Sequence, residues 1–170
     1  MTGYFGEPDT PDGVLVGETV PKREMLAKVK EECDAIGRAV EEAGVAFCYA
    51  ENWVYAPSFA KLRRLAEAAG GTIIRIQAEE SHSGSPSVYA KQWRTAGGGS
   101  LVLKGSHPLG AVLQLKQWEG LKRNGRPIRP ASVTCEVGNL TFIESVKRDP
   151  KHYIKMDWKD VEDWGLMVLK

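Results

Sequence analysis

Apolar residues recur every three or four positions in three stretches of the chain, which is the spacing of one face of an α-helix. The first stretch runs from Pro21 to Ala43 and the second from Pro57 to Ala69, and each has a proline at its start and a glycine just after its end. The third begins near Pro108, at a helix start or kink, and continues through Trp118. The pattern therefore predicts three amphipathic helices.

Shorter apolar or alternating runs between these helices predict β-strands. The apolar runs 14–16 and 45–50 flank the first helix and predict a parallel β-α-β unit with a right-handed connection. Alternation predicts half-exposed strands at 72–80, 133–137 and 164–170. The chain begins without earlier strands and stops inside the last run, so we expect a fragment of a larger protein, or an oligomer that supplies the missing strands.

Length and charge narrow the class of protein. The chain has 170 residues, enough for one domain with a hydrophobic core. Its 23 basic and 22 acidic residues give a net charge of +1, which offers no electrostatic reason to expect nucleic acid or an anionic membrane as partner. No stretch has the roughly 18 apolar residues of a membrane helix, and the first residues lack the pattern of a signal peptide. We expect a cytoplasmic protein.

The three cysteines, Cys33, Cys48 and Cys135, lie far apart in apolar segments. An odd number at such spacing does not suit a disulfide framework or a zinc site. The sequence therefore predicts buried, reduced thiols.

The segment 93–108 is the strongest candidate for chemistry. Three consecutive glycines, Gly97 to Gly99, allow positive φ angles and a close approach of the backbone to another group. The apolar residues after them can pack on a core and aim His107 into a cleft. Because the pKa of histidine lies near neutrality, a fixed imidazole there suits proton transfer. A packed or surface histidine is the alternative.

Several other polar or aromatic residues are candidates for ligand binding. Glu51 and Asn52 follow an apolar run at the end where α/β folds place ligands, although helix capping explains them equally well. Trp93 and Arg94 can stack on or hydrogen-bond a hydroxylated substrate, or Trp93 can belong to the core. Lys104 is a further candidate, with a solvated side chain as the alternative.

A group of acidic residues and a histidine, Glu79, Glu80 and His82, follows one predicted strand. It can line a pocket or ligate a metal, but the neighbouring sequence offers no third ligand. A polar strand end in solvent is the preferred interpretation, and we expect no metal site.

Several segments occur in a characteristic order between residues 12 and 169. They are Glu18-Thr19, the long helix after it, Val45 to Tyr49 with Ala50-Glu51-Asn52-Trp53-Val54-Tyr55-Ala56-Pro57, Trp93-Arg94, Gly97-Gly98-Gly99, Gly105-Ser106-His107 and Glu162-Asp163-Trp164-Gly165. In this order they resemble the Gfo/Idh/MocA family of oxidoreductases.

The resemblance implies an α/β fold. Residues 1–50 would be a remnant of the dinucleotide-binding Rossmann domain, a terminal β-α-β piece. Residues 51–170 would be the C-terminal α+β domain, truncated at its end, with a largely antiparallel open sheet and helices on one face. The open face of such a sheet is where these domains pair, so a homo-oligomer is expected.

The resemblance also implies a reaction. The family oxidises sugars, polyols or related hydroxy compounds with NAD or NADP, and His107 occupies the place of its acid/base histidine. The contacts to the sugar-like substrate would come from Glu51, Asn52, Trp93, Arg94 and Lys104. The contacts to the cofactor would come from Glu18 and Thr19.

Three departures from the family's pattern modify this expectation. Leu103 stands where many members have an aspartate, and Thr19-Val20 stands where they have Lys-Pro, so no partner for His107 is evident. No Gly-x-Gly-x-x-Gly follows an opening strand to hold phosphates. We therefore expect a fragment that binds NAD(P) weakly and is inactive alone. The alternative function is a non-catalytic substrate-binding or oligomerisation domain that has lost cofactor binding.

Overall fold

The computed structural model describes residues 22–148 and 158–170. The predicted strand at 14–16 and the predicted cofactor residues Glu18 and Thr19 lie outside these ranges. The described part is a mixed α/β structure, in which three long helices and one two-stranded antiparallel sheet are the main elements.

The three long helices are α1 (Lys22–Ala43), α2 (Pro57–Ala69) and α3 (Ser106–Asn124), which confirms the helices predicted from the apolar spacing. Proline occupies the first turn of α2, and glycines with positive φ follow α2 and α3, at 67° for Gly70 and 68° for Gly125. No helix in the described residues is long and apolar enough to cross a membrane.

In the part of the chain that the structure describes, six single turns of helix connect the long elements. They are the 3₁₀ turns Trp53–Tyr55, Val88–Lys91 and Leu140–Phe142, and the α-helical turns Trp93–Ala96, Ser100–Leu103 and Glu144–Lys147.

The sheet consists of β1 (Val133–Gly138) and β2 (Trp164–Leu169), as the alternating runs predicted. The strands are antiparallel, and their register pairs Val133 with Leu169 and Gly138 with Trp164. The last apolar run is therefore not left without a mate, because a strand about thirty residues earlier supplies its hydrogen bonds.

Two other predicted strands, 45–50 and 72–80, are not strands in the structure. Their large side chains face solvent: Phe47 is 65% exposed and Ile74 is 94% exposed. The apolar pattern shows that these segments can bury one face, but a strand also needs a neighbour for its backbone groups. The predicted parallel unit is thus absent from the described residues.

Instead of joining a sheet, the segment around Ile73 is bound to α3 through charged side chains. The Glu119 carboxylate, 2% exposed, accepts the Ile73 N–H at 2.7 Å. Lys116 donates to Glu119 at 2.5 Å and to the Ile73 carbonyl at 2.9 Å. Arg123 lies 3.4 Å from Glu119 and donates to the Gly70 carbonyl at 2.9 Å. Sequence reasoning missed this network, because no local pattern joins residues more than 40 positions apart.

Burial acts on the pKa of Glu119 in one direction and its partners act in the other. Burial raises the pKa, but the hydrogen bonds from Lys116 and Ile73 N–H and the positive charges of Lys116 and Arg123 outweigh it. The pKa of Glu119 therefore lies below its usual value, and the side chain is an ionised carboxylate at neutral pH.

The buried apolar core of the described residues centres on α3. Ala111 and Leu115 project from that helix, and Ala90 and Val161 come from the segments before α3 and before β2. The three cysteines are free but exposed, so their predicted burial is wrong. Cys48 shows the reason, since it lies in the segment 45–50 that finds no partner strand.

Candidate functional site

The glycine-rich segment adopts the backbone conformations that its sequence predicts. Gly97 has φ 75° and ends the turn Trp93–Ala96, and Gly98 has φ 155°. Both values are rarely adopted by residues with a side chain. The chain then enters the turn Ser100–Leu103 and, one tight turn later, α3, which carries His107 as its second residue.

Glu162 holds this segment in place. Its carboxylate accepts the N–H of Gly99 at 2.9 Å and that of Leu101 at 3.2 Å, and its backbone carbonyl accepts the N–H of Ser100 at 2.9 Å. A Cβ at Gly99 would lie 1.8 Å from that carbonyl oxygen. The close backbone approach predicted for the glycines is confirmed, and the group approached is the chain itself.

The residues after Glu162 complete the support. Asp163 accepts the N–H groups of Leu140 at 2.7 Å and Thr141 at 3.0 Å. At Gly165 a Cβ would lie 2.4 Å from Cγ of Leu101, so the sheet packs directly against the turn before α3. The motif at 162–165 therefore has a structural role in positioning the histidine segment, which the sequence alone did not show.

His107 has an acidic partner that sequence reasoning missed. Its Nδ1 lies 2.5 Å from Oε1 of Glu51, although the two residues are 56 positions apart. The side chain of Glu51 is only 6% exposed, whereas that of His107 is 28% exposed. Glu51 was predicted to contact a ligand; in the structure its carboxylate contacts the Nδ1 side of the His107 ring.

Trp53 fixes the plane of the imidazole. Its ring stacks on that of His107 with centroids 5.6 Å apart and planes 6° from parallel. The backbone N–H of Trp53 also donates to Oε1 of Glu51 at 3.3 Å. The turn Trp53–Tyr55 packs against α3, so the short segment 51–55 supplies both the carboxylate and the aromatic contact.

The charge of Glu51 determines which nitrogen of His107 carries the proton. Burial raises the pKa of Glu51, but hydrogen bonds from His107 and from the N–H groups of Trp53 and Val54 outweigh it, so the pKa is lowered. An ionised carboxylate can only accept, so Nδ1 of the neutral imidazole must donate. Nε2 then has a free lone pair, which is the arrangement of a general base oriented by a carboxylate.

The other oxygen of Glu51, Oε2, is buried and has no hydrogen-bond partner among the described residues. It lies beside Gly110, where a Cβ would be 3.0 Å from it. Gln114, one turn further along α3, also has a buried and unpaired oxygen among the described residues. Buried polar atoms are normally satisfied, so this side of α3 is unusual.

Lys104 lies next to the histidine along the chain and in space. Its backbone carbonyl accepts the N–H of His107 at 3.1 Å, and its Nζ lies 3.8 Å from Oε1 of Glu80. This pair is loose enough for a ligand to compete with it. Lys104 is therefore paired, not simply solvated. The contact between Lys104 and Glu80 was not predicted from the sequence, and it adds Glu80 to the candidate site.

The other residues predicted to contact the substrate are Asn52, Trp93 and Arg94. Asn52 is exposed, and its carbonyl accepts the N–H of Tyr55 at 3.1 Å without a side-chain cap. The N–H of Trp93 donates to Asp160 at 2.7 Å, and its indole nitrogen is buried without a partner in the described part of the chain. Arg94 lies in the turn Trp93–Ala96.

His82 forms part of an exposed turn. Its Nδ1 accepts the N–H of Gly84 at 2.8 Å. Within residues 22–148 and 158–170, no group of three or more His, Cys, Asp or Glu side chains could hold a metal ion. Glu79 and His82 are exposed, whereas the Glu80 side chain is only 17% exposed and lies beside Lys104, so the predicted solvated segment is observed only in part.

Comparisons with known proteins do not assign the chain to a family. The chain matches no family model, no curated protein and no solved structure. The chemistry of the site therefore rests on its own residues.

The glycine-rich segment and the start of α3 do not fit the phosphates of a dinucleotide cofactor. A phosphate cradle needs free N–H groups at a glycine turn or helix start. Here the amides of Gly99, Ser100 and Leu101 are bound by Glu162. At the start of α3 the N–H of His107 donates to Lys104, and Pro108 has none.

Titration of the purified chain with NADH tests this conclusion. We expect no saturable change in nucleotide fluorescence up to about 1 mM NADH, corresponding to binding weaker than about 4 kcal/mol. A dehydrogenase with an intact glycine fingerprint, titrated in the same way, serves as the control. Saturation in the micromolar range would contradict the expectation.

Proposed function

We propose that residues 51–170 form the substrate domain of an NAD(P)-dependent oxidoreductase of the Gfo/Idh/MocA type. Its substrate would be a sugar, a polyol or a related hydroxy compound, and residues 1–50 would be the end of the nucleotide-binding domain. The observation that supports the proposal is the 2.5 Å contact between Nδ1 of His107 and Oε1 of Glu51, at the position where the resemblance expects an acid/base histidine.

The step assigned to this chain is proton transfer. In the oxidative direction, Nε2 of His107 accepts the proton of a substrate hydroxyl, which leaves a substrate alkoxide beside an imidazolium. Glu51 then stabilises the imidazolium, because its carboxylate already accepts the Nδ1 proton. The mechanism proposed here includes only this proton.

The surroundings of His107 suit a hydroxyl-rich ligand. Lys104 offers a donor and Glu80 an acceptor beside the first turn of α3, and their 3.8 Å separation leaves both available for exchange with ligand hydroxyls. The Trp53 ring shields one face of the imidazole. A small polar molecule is therefore a better match than an extended apolar one.

A panel of sugars and polyols tests the proposal. Ligands are titrated into the ¹⁵N-labelled chain, and the ring signals of His107 are followed by NMR. We expect at least one compound to shift them saturably, and His107→Asn, followed through the backbone amide signals, to weaken its binding about tenfold, the loss of one hydrogen bond.

The control is His82→Asn, because His82 lies in an exposed turn and should leave the affinity unchanged. The proposal is refuted if no panel member shifts His107, or if His107→Asn binds as tightly as the original chain.

A second candidate function is a non-catalytic binding or oligomerisation domain. It is favoured by the large apolar side chains left in solvent, among which Ile74 is 94% exposed and Tyr49 and Val88 are each 72% exposed. Ligand binding that His107→Asn does not weaken would support this second function.

A further inference from the structure

Gly110 lies where α3 passes the buried carboxylate of Glu51. A Cβ at this position would be 2.9 Å from Cγ and 3.0 Å from Oε2 of Glu51. Gly110 is inside the helix, where glycine is less favourable than alanine. A helical glycine in contact with a buried charge therefore needs an explanation other than helix formation.

We propose that Gly110 is a positioning residue for His107. The missing side chain leaves the space in which the Glu51 carboxylate lies against α3, and this location keeps Nδ1 of His107 hydrogen-bonded and Nε2 free. The proposal rests on the proposed function only for the use made of Nε2. The geometry at Gly110 stands independently of it.

The carboxylate cannot yield to a new side chain without moving away from the histidine. Oε1 is bound by His107 and by the Trp53 N–H, and the side chain is 6% exposed. Relieving a 2.9 Å carbon contact to an ordinary one requires a displacement of roughly 0.5–1 Å. A shift of that size would lengthen or break the 2.5 Å contact to Nδ1.

Because Trp53 holds the plane of the His107 ring, the tautomer of His107 depends on the Glu51 carboxylate. The tryptophan fixes the plane of the imidazole but not which nitrogen carries the proton. Among the described residues, the hydrogen bond to Glu51 is the one contact that selects the Nδ1–H tautomer. Loss of that bond therefore changes a spectroscopic property of His107 that helix packing alone would leave unchanged.

The test measures the tautomer of His107 from the ring ¹⁵N shifts of the full chain. His82 is an internal reference, because its Nδ1 accepts the Gly84 N–H and its proton therefore lies on Nε2. We expect the Nδ1–H form to predominate at His107, and Gly110→Ala to lower the ratio of Nδ1–H to Nε2–H at least tenfold, as Glu51→Ala, which removes the acceptor, also should.

The matched control is Gly37→Ala in α1, also inside a helix, where an added Cβ meets nothing within 4 Å. It should leave the His107 ratio unchanged. A Gly110→Ala chain with the original ratio overturns the proposal. If Gly110→Ala does not fold, the double variant with Glu51→Ala decides: restored folding identifies Glu51 as the clash and supports the proposal, and failure to fold overturns it.

These outcomes are separable from those of the ligand titration. If the tautomer changes as expected but no sugar or polyol shifts His107, the proposed function fails and the role of Gly110 stands. If the ligand titration succeeds and Gly110→Ala keeps the original ratio, only the role of Gly110 fails.

Discussion

Replacing Gly99 by alanine is expected to lower the free energy of unfolding by about 3 kcal/mol, measured by urea denaturation. The added Cβ would lie 1.8 Å from the Glu162 carbonyl oxygen and 2.7 Å from the Glu162 nitrogen. Backbone atoms cannot rotate away as a flexible side chain can. The segment must separate from Glu162, and the Ser100 hydrogen bond at 2.9 Å is lost with it.

The same change should disturb His107, because the segment from Gly99 leads directly into α3. For a chain of this size, a 3 kcal/mol loss corresponds to a fall of roughly 6–12 °C in Tm. Gly37→Ala is again the control, since a helical alanine with open space around it should stabilise the chain by up to about 1 kcal/mol. A Gly99→Ala variant as stable as the original chain would show that Glu162 does not hold the segment.

The helices were predictable because their signals are local. The apolar spacing, a proline in the first turn and a glycine after the last turn located α2 at its observed bounds. The same logic found α1, whereas α3 was found from its apolar spacing and a proline near its start, and it continues to Asn124, beyond the end predicted near Trp118. Positive φ at Gly97 followed from the run of three glycines, since no other residue type tolerates that conformation as well.

The strands show what local sequence signals cannot predict. Alternation located β1 and β2, but not that they pair with each other, because pairing depends on register between distant segments. The run 45–50 has a comparable apolar pattern and is not a strand. A strand is a property of two segments, and a pattern in one of them predicts only the capacity to pair.

The candidate site, too, was predictable from the sequence only in part. The glycine segment singled out His107 as a candidate, but the partner of this histidine was sought four residues earlier, at Leu103. The carboxylate comes instead from Glu51, brought over by the packing of the turn Trp53–Tyr55 on α3. One sequence signal for it was an acidic residue and an aromatic one at the end of an apolar run. Gly110, a glycine inside a predicted helix, was a second signal that the spacing analysis did not use.

Glu119→Ala is the second change with a large expected effect, a loss of about 3–5 kcal/mol in the free energy of unfolding at pH 7. The carboxylate is 2% exposed and binds Lys116, Arg123 and the Ile73 N–H. Removing it leaves two cations side by side and one backbone donor unpaired, and it releases the segment around Ile73 from α3. Urea denaturation at pH 7 measures the loss.

Glu67→Ala is the matched control, because Glu67 also pairs with a cation on α3, Lys122, at 3.0 Å. Both of those side chains are more than half exposed, so solvent screens the pair and its loss should cost less than about 1 kcal/mol. Equal losses for the two variants would contradict the interpretation that burial makes the Glu119 network the stronger one.

The stability difference between the original chain and Glu119→Ala should also depend on pH. The pKa of Glu119 in the folded chain lies below its usual value, because Lys116, Arg123 and the Ile73 N–H outweigh the effect of burial. The carboxylate therefore contributes stability that is fully present above the unfolded-state pKa of about 4.3 and is lost as the pH falls through the folded-state pKa. Denaturation curves at neutral pH and at successively lower pH should show the two chains converging only in acid. A difference that stays constant down to about pH 3 would assign the loss to packing and not to the charge of Glu119.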